Sequence, residues 1–383
     1  MKSILLMACD PGGANTIIAM ADALSRQGWK FYLYGKDVAL KRYQECGFTG
    51  QNVSLLGYPN ISEWTNLLNL LKPDIVLTGT SANDFSERFL WLAASQLEIP
   101  SIAIIDHWSN LGLRFSEYGY RDRENYETKK KHPYLPDRII IMDRESRQEL
   151  ITNGIEPERI LPYGQPYFNY LLSQSKNRIL MEQGRECRLK YGLEINDFMV
   201  LYASEPIRQE YGFNEDGTPY WGYDEISIFK ELINALKIIV ARGLHQRIMV
   251  VIKPHPLEKH DNYSTALSEL DINELEVRLA GADEKIWDLI MASDLVCGMT
   301  SMVLLESVWL SRIVISVRIG LRRNSPFILQ EKGFLAPVMN QEELVYQLED
   351  TFQGKKSIIS AWSIDENTAD KIIELLEELK CRT

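Results

Sequence analysis

The chain has 383 residues, 45% of them hydrophobic and 25% charged, a length and balance that favour two soluble globular domains over disorder, collagen or a disulfide scaffold. A formal net charge of −11 argues against a broad nucleic-acid surface, although a local basic cluster still suits a phosphate. The five cysteines (Cys9, Cys46, Cys187, Cys297, Cys381) are odd in number, far apart and without metal-ligand spacing, which favours a reduced cytoplasmic compartment and calls for no metal.

Residues 4–8 form an apolar run too short for a signal peptide, and no other segment has the apolar length of a bilayer span. The expectation is a protein not integral to a membrane, with peripheral association left open. Apolar runs at 4–8, 31–34, 53–56, 74–78, 101–105 and 138–142 alternate with helical patterns. Strands that are apolar on both faces, separated by amphipathic helices, are what a parallel sheet covered on both sides requires. Between Trp108 and Pro136 the alternation stops, and a polar, aromatic segment joins two strands. A long irregular connection inside a domain usually carries function, so this one reads as an active-site loop, with Arg114 among the candidates for acceptor or sugar binding.

After a helical pattern at 144–153, the stretch Ile160-Leu161-Pro162-Tyr163-Gly164-Gln165-Pro166 has the strand and the Pro/Gly punctuation of a domain crossing. This sets domains at 1–165 and 166–383. The alternation restarts with strands at 198–203, 247–252, 275–279, 295–297 and 313–317 and a helix at 226–242. The expected fold is α/β, two Rossmann-like doubly wound parallel-sheet domains facing a cleft. A last helix at 366–380, with Ile372, Ile373, Leu375, Leu376 and Leu379 on its apolar side, is able to pack on either domain, the first included.

Five constellations could carry chemistry. Cys9-Asp10-Pro11-Gly12-Gly13-Ala14-Asn15-Thr16 follows the first strand and opens a helix. Paired glycines let a ligand approach the backbone while the helix offers free N–H groups, so Asp10, Gly12, Gly13 and Asn15 become acceptor or sugar candidates. The spacing is neither a dinucleotide fingerprint nor a Walker loop, and a plain tight turn also favours glycine. Ile105-Asp106-His107-Trp108 ends the fifth strand, where ligands of open α/β sheets sit. His107 suits a general base, and Asp106 fixes its tautomer if the strand has already ended there.

Lys253-Pro254-His255-Pro256 ends a strand of the second domain, and Lys253 and His255 are groups that neutralise a diphosphate. From Ala292 to Glu306 a buried strand ends at Gly298, and Thr300-Ser301-Met302 opens a helix whose N–H groups and hydroxyls suit a phosphate, with Glu306 placed for a ribose diol. Ser204-Glu205-Pro206 and the basic stretch Arg318 to Arg323 are weaker, with Ser204 and Arg318 as phosphate candidates. Hinge geometry alone accounts for Tyr163-Gly164-Gln165-Pro166.

The order of these motifs resembles the GT-B superfamily over nearly the whole chain: a Gly-Gly loop after the first strand, Gly-Gln-Pro at the crossing, Lys253-Pro254-His255-Pro256, and Ala292-Ser293-Asp294 leading to Thr300-Ser301 and Glu306. Within it, the chain looks like relatives of the UDP-N-acetylglucosamine 2-epimerases and of the capsule and teichoic-acid transferases with a Lys-Pro-His-Pro box. It departs from both where they show Asp-Ser-Gly-Gly or Asp-Tyr-Ser-Ser, having Gly298-Met299-Thr300-Ser301. The resemblance implies a nucleotide held mainly by the second domain, phosphates near Lys253, His255, Thr300 and Ser301, ribose at Glu306, and the acceptor on the first domain. The expected activity is metal-independent transfer of a sugar from a nucleotide-diphosphate sugar to an acceptor, with His107 or a nearby carboxylate as base. A nucleotide-sugar 2-epimerase or hydrolase, a CDP-polyol phosphotransferase and a non-catalytic nucleotide-sugar binding protein stay as alternatives. No cofactor is called for, and the residues fix neither acceptor, donor base nor oligomeric state.

Overall fold

The structure, a computed structural model, describes residues 2–56, 60–243, 247–255, 258, 261–270, 275–323, 327–356 and 367–380. The chain divides into two compact units, Met1–Tyr170 with Ser363–Thr383, and Leu171–Trp362.

The first unit holds seven strands: β1 Ser3–Ala8, β2 Lys30–Gly35, β3 Gln51–Asn52, β4 Ile75–Thr78, β5 Ser101–Ile104, β6 Arg138–Ile140 and β7 Ile160–Leu161. All pair in parallel, in the order β3-β2-β1-β4-β5-β6-β7. The central strands are unbroken apolar runs because alternate residues enter two separate cores. Ile4, Leu6, Ile75 and Leu77 pack with the helix Pro11–Arg26 on one face, while Leu5, Met7 and Val76 pack with Trp64, Leu68 and Leu90 on the other. The helix Thr368–Lys380 lays Ile372, Ile373, Leu375, Leu376 and Leu379 into the first of these cores. Burying each such side chain is worth about 1.5–3 kcal/mol, and Lys380 adds an ion pair to Asp74 at 3.1 Å.

Two expectations need correction here. Residues 53–56 are not a strand: the Asn52 side chain takes the Ser54 N–H at 2.8 Å and turns the chain into the 3₁₀ turn Val53–Leu56, leaving Gln51 and Asn52 alone to pair with Tyr34 and Gly35. The connection after β5 is not structureless. It contains the helix Arg123–Lys129, and the fully buried Arg88 stitches it down, donating to the carbonyls of Leu113, Arg114 and Tyr118 as well as Ser81 and Ala82.

The second unit holds β8 Phe198–Ala203, β9 Ile248–Lys253, β10 Glu276–Leu279, β11 Leu295–Gly298 and β12 Ile313–Ser316, parallel throughout, in the order β10-β9-β8-β11-β12. The helix Glu225–Ala241 opens with a capping box between Asp224 and Ser227 and buries Ile228, Phe229, Leu232 and Leu236 against Val200, Tyr202, Val250 and Ile252.

Each sheet reverses its strand order once, between β1 and β4 in the first and between β8 and β11 in the second. There the two connecting loops diverge to opposite faces and leave a crevice at the carboxyl ends of the strands, the place where open α/β sheets bind ligands.

Candidate functional site

In the first unit the loops after β1 and β4 meet at the reversal. A Cβ on Gly79 would stand 2.7 Å from Gly13 Cα, so this backbone contact requires glycine. A Cβ on Gly12 would stand 1.9 Å from Asp106 Oδ2, so the bare position is what lets the Asp106 carboxylate lie against the start of the helix Pro11–Arg26. Arg114 Nη1 holds that carboxylate from the other side, donating to Asp106 Oδ1 at 2.8 Å and to the Thr80 carbonyl and hydroxyl at 2.8 and 2.9 Å. Both members of the pair are largely buried, so removing one leaves the other uncompensated.

Asp10 is the N-cap of the same helix, yet its carboxyl makes no capping bond. Burial, with the Asp106 and Asp84 charges, pushes its pKa up against the pull of Ser81 and Arg114. Behind it lies Glu87, 1% exposed, whose Oε1 takes the Cys9 N–H at 3.1 Å and whose buried Oε2 has no partner. Burial, with Asp10 and Asp84, pushes the Glu87 carboxyl far above its ordinary range.

His107 lies beside this group but is not oriented by Asp106. Its Nδ1 accepts the Ser109 N–H at 3.1 Å and lies 2.8 Å from the Ser109 hydroxyl. Consecutive residues leave the strand in different directions, and Asp106 is spent on Arg114 and Thr80. Asn15 is also engaged elsewhere, its Oδ1 accepting from Arg42 Nε at 2.6 Å.

In the second unit the loops after β8 and β11 meet through Glu205. Its Oε1 accepts the N–H groups of Met299, Thr300 and Ser301 at 3.2, 2.6 and 2.8 Å, and its Oε2 accepts the Thr300 hydroxyl at 2.6 Å. The cradle that the sequence assigns to a phosphate therefore holds a carboxylate of the chain itself. Burial pushes the Glu205 carboxyl above its ordinary range although these four donors oppose it. Ser301 caps the helix Met302–Trp309 through the Val303 N–H at 3.2 Å, and Met302 begins it, partly exposed.

The other candidates of this unit are engaged with the protein. Lys253 Nζ donates to the carbonyls of Gly281 and Glu284 at 2.7 and 2.8 Å and so pins the loop after β10. Ser204 is buried, bonded to Glu258 Oε1 at 2.8 Å and to the Tyr263 hydroxyl, while the backbone N–H of His255 donates to Glu258 Oε2 at 2.6 Å. Pro256 lies outside the described residues. Glu306 is buried, and its Oε2 accepts from Trp287 Nε1 at 2.9 Å. Arg318, a phosphate candidate in the basic stretch Arg318 to Arg323, is only 1% exposed: it lies by Tyr223, donates to Gln330 Oε1 at 3.3 Å and faces the Phe327 ring.

The structure thus brings Asp10, Gly12, Gly13, Asp106 and Arg114 together in one unit, and Thr300 and Ser301, with Met299, around Glu205 in the other, while Met302 only begins the helix that follows. The sequence assigned no role to Thr80, Ser81, Glu87 or Glu205. The signal available was position: Thr80 and Ser81 follow β4 and Glu205 follows β8, the strands flanking the two reversals. Among the described residues no three His, Cys, Asp or Glu side chains are grouped to hold a metal ion, and no helix is long and apolar enough to cross a membrane.

No family model and no curated protein matches the sequence. Solved structures do match. The UDP-GlcNAc 2-epimerase of Methanocaldococcus jannaschii superposes with a TM-score of 0.67 at 15% identity, over 99% of this chain and 100% of that one. The UDP-GlcNAc 2-epimerase of Neisseria meningitidis, solved bound to UDP-GlcNAc, gives 0.62 at 13% identity over 98% and 100%. A glycosyltransferase from Rickettsia africae gives 0.60 at 15% identity over 99% and 98%. At such identities the likeness is one of fold: over nearly its whole length the chain has the two parallel-sheet α/β domains of the GT-B fold.

Proposed function

We propose that the protein is an enzyme of nucleotide-diphosphate sugars that transfers the sugar to an acceptor hydroxyl, the second domain holding the nucleotide and the first the acceptor. The observation that carries this reading is the cradle at the second reversal, where three backbone N–H groups and a hydroxyl converge on one anionic group. In the proposal a donor phosphate takes the place of the Glu205 carboxylate there. The same donors then stabilise the charge that grows on the leaving diphosphate, an effect worth about 10²–10³-fold in rate per donor at comparable sites. Glu306 takes the ribose, and His255 and the loop pinned by Lys253 border the phosphates. The Arg114–Asp106 pair and Asp10, at the start of the helix Pro11–Arg26, receive the acceptor. The work is done in the cytoplasm and without an obligatory metal. That the Neisseria structure carries UDP-GlcNAc makes this the first donor to try.

A second reading, a 2-epimerase, is favoured by the names of several solved structures of this fold and by the carboxylates Asp10 and Asp106 beside Gly12. An epimerase removes and returns the proton at C2 and needs no acceptor. Incubation with UDP-GlcNAc in deuterated buffer, followed by NMR, separates the two. A transferase consumes donor in proportion to added acceptor and returns the remainder without deuterium. An epimerase yields the C2 epimer, deuterated at C2, with no acceptor present. A protein that neither binds nor alters any of a panel of nucleotide sugars contradicts both.

A further inference from the structure

We propose that the connection after β8 is an oligosaccharide-binding platform, on which exposed aromatic rings receive the C–H face of a neutral pyranose sugar. The inference goes beyond the reaction proposed above and concerns binding within the second unit alone.

Residues 204–224 join β8 to the helix Glu225–Ala241, a long connection for a strand and helix of one sheet. The short helix Ile207–Tyr211 ends at Gly212, and a bridge between Phe213 and Pro219 folds the chain back on itself. The returning leg lays Tyr220 against Tyr211, the two rings stacked with centroids 5.7 Å apart. Trp221 stands edge-on to both, at 5.0 Å from Tyr220 and 5.3 Å from Tyr211. From the loop after β12, the Arg323 guanidinium covers Tyr220 at 4.2 Å from the ring centre, and Arg208 lies 5.9 Å from that of Phe213.

The two loops are fastened to each other. Arg323 donates from Nε to the Tyr220 carbonyl at 2.8 Å and from Nη2 to Asn214 Oδ1 at 2.6 Å, and the Arg322 N–H donates to the Trp221 carbonyl at 2.9 Å. Gly222 and Gly320 meet at φ values of +88° and +92°, and a Cβ on Gly222 would overlap the Gly320 carbonyl oxygen, so the crossing requires glycine. On this fixed base Tyr211 is 47% exposed and Phe213 56% exposed. Apolar surface left in water within a polar rim marks an interaction site. Rings already held in place lose little freedom when a ligand arrives.

The rim selects the occupant. The exposed charges of residues 207–223 and 318–323 balance, with Arg208, Arg322 and Arg323 against Glu210, Glu215 and Asp216. A surplus of arginine would call for a phosphate or an anionic polymer; a balanced rim suits a neutral ligand. Arg322 and Asp216 form an open pair at 3.5 Å, both side chains more than half exposed, and such a pair is easily parted. The guanidinium then donates and the carboxylate accepts, which matches hydroxyls that do both. A pyranose combines an apolar C–H face for the rings with a hydroxyl edge for these groups.

The test measures binding to the intact chain by calorimetry and saturation-transfer NMR, with neutral gluco- and chitooligosaccharides as probes and an oligogalacturonate and UDP for comparison. At least one neutral oligomer is expected to bind, with saturation strongest on the C–H protons of one sugar face, and the oligogalacturonate to bind more weakly. Tyr211→Ala and Phe213→Ala are each expected to weaken that binding by about 3- to 10-fold, while Tyr211→Phe, which keeps the ring, stays within about 2-fold of the unmodified protein. Leu189→Ala, at an exposed position elsewhere in the same unit, leaves it unchanged. Failure of every neutral oligomer to bind overturns the proposal, as does binding that both alanine variants retain. Tighter binding of oligogalacturonate or UDP that the same variants lose overturns it too, and so does self-association that they abolish, which would put a second copy of the chain on the platform. None of these readings needs turnover, so a lack of transfer activity counts against the proposed function alone.

Discussion

At the reversal of the first sheet, Asp10 caps a helix of 16 residues without giving it a hydrogen bond; at that of the second, Glu205 gives its whole carboxylate to the turn that opens the helix Met302–Trp309. Both places are strand, tight turn and helix start, and both keep an acidic side chain where backbone N–H groups converge. The difference lies in how far each carboxylate is satisfied. One saturated with donors is a resident anion, exchangeable for another anion. One that makes no capping bond is left to its burial and its charged neighbours, which push its pKa up. The same local geometry thus supplies a filled anion cradle in one domain and a buried carboxyl that makes no capping bond in the other.

The largest effect expected from disturbing this comparison is at Arg114. Arg114→Ala leaves Asp106 buried without its cation, and chemical denaturation is expected to show a loss of about 3–5 kcal/mol. A loss below about 1 kcal/mol would mean that the pair is solvated rather than held as a buried ion pair. Gly12→Ala comes next. Its methyl needs the space of Asp106 Oδ2, and the forced shift is expected to cost about 1–3 kcal/mol and to lower turnover at unchanged nucleotide affinity. A crystal structure of the variant with Asp106 unmoved would contradict it.

A carboxylate of the second domain sharpens the contrast with Glu205. Glu225 is buried, accepts the Arg208 N–H at 3.1 Å, and burial raises its pKa to about 7. A raised folded-state value means that the native protein holds a proton that the unfolded chain gives up. The associated stability is complete below the unfolded carboxylate pKa and is lost as pH rises through about 7. Glu225→Gln, which cannot ionise, should therefore gain on the unmodified protein between pH 5 and pH 8, by on the order of 1–3 kcal/mol. Thermal melts at the two pH values check it, and a constant difference would show that Glu225 does not titrate in that window.

The central strands of both sheets were legible because their residues are buried on both faces, which writes an uninterrupted apolar run into the sequence. Residues 53–56 look the same in sequence, but what ends β3 is a side-chain bond from Asn52, which no apolar pattern records. The glycines at 12 and 13 were legible as backbone that something approaches. What approaches them, Asp106 and Gly79, was not, because it comes from other strands of the sheet. Glu205 was visible only as a polar residue after a strand, since its four donors lie about 95 positions further along the chain. Arg318 was placed with its exposed neighbours Arg322 and Arg323, although it is buried beside Tyr223.

The central claim is that the Glu205 cradle is a nucleotide-phosphate site, and calorimetric titration of UDP into the unmodified protein, Glu205→Gln and Glu205→Ala tests it most directly. Glu205→Gln can keep the three N–H bonds on its oxygen while losing the charge, and Glu205→Ala empties the cradle. The account predicts tighter UDP binding in both variants, by about 10-fold or more for Glu205→Ala, since relieving one competing charged hydrogen-bond partner is worth about 1.5–3 kcal/mol. Equal or weaker binding in both, or no binding of UDP or any other nucleoside diphosphate by any of the three, would contradict it.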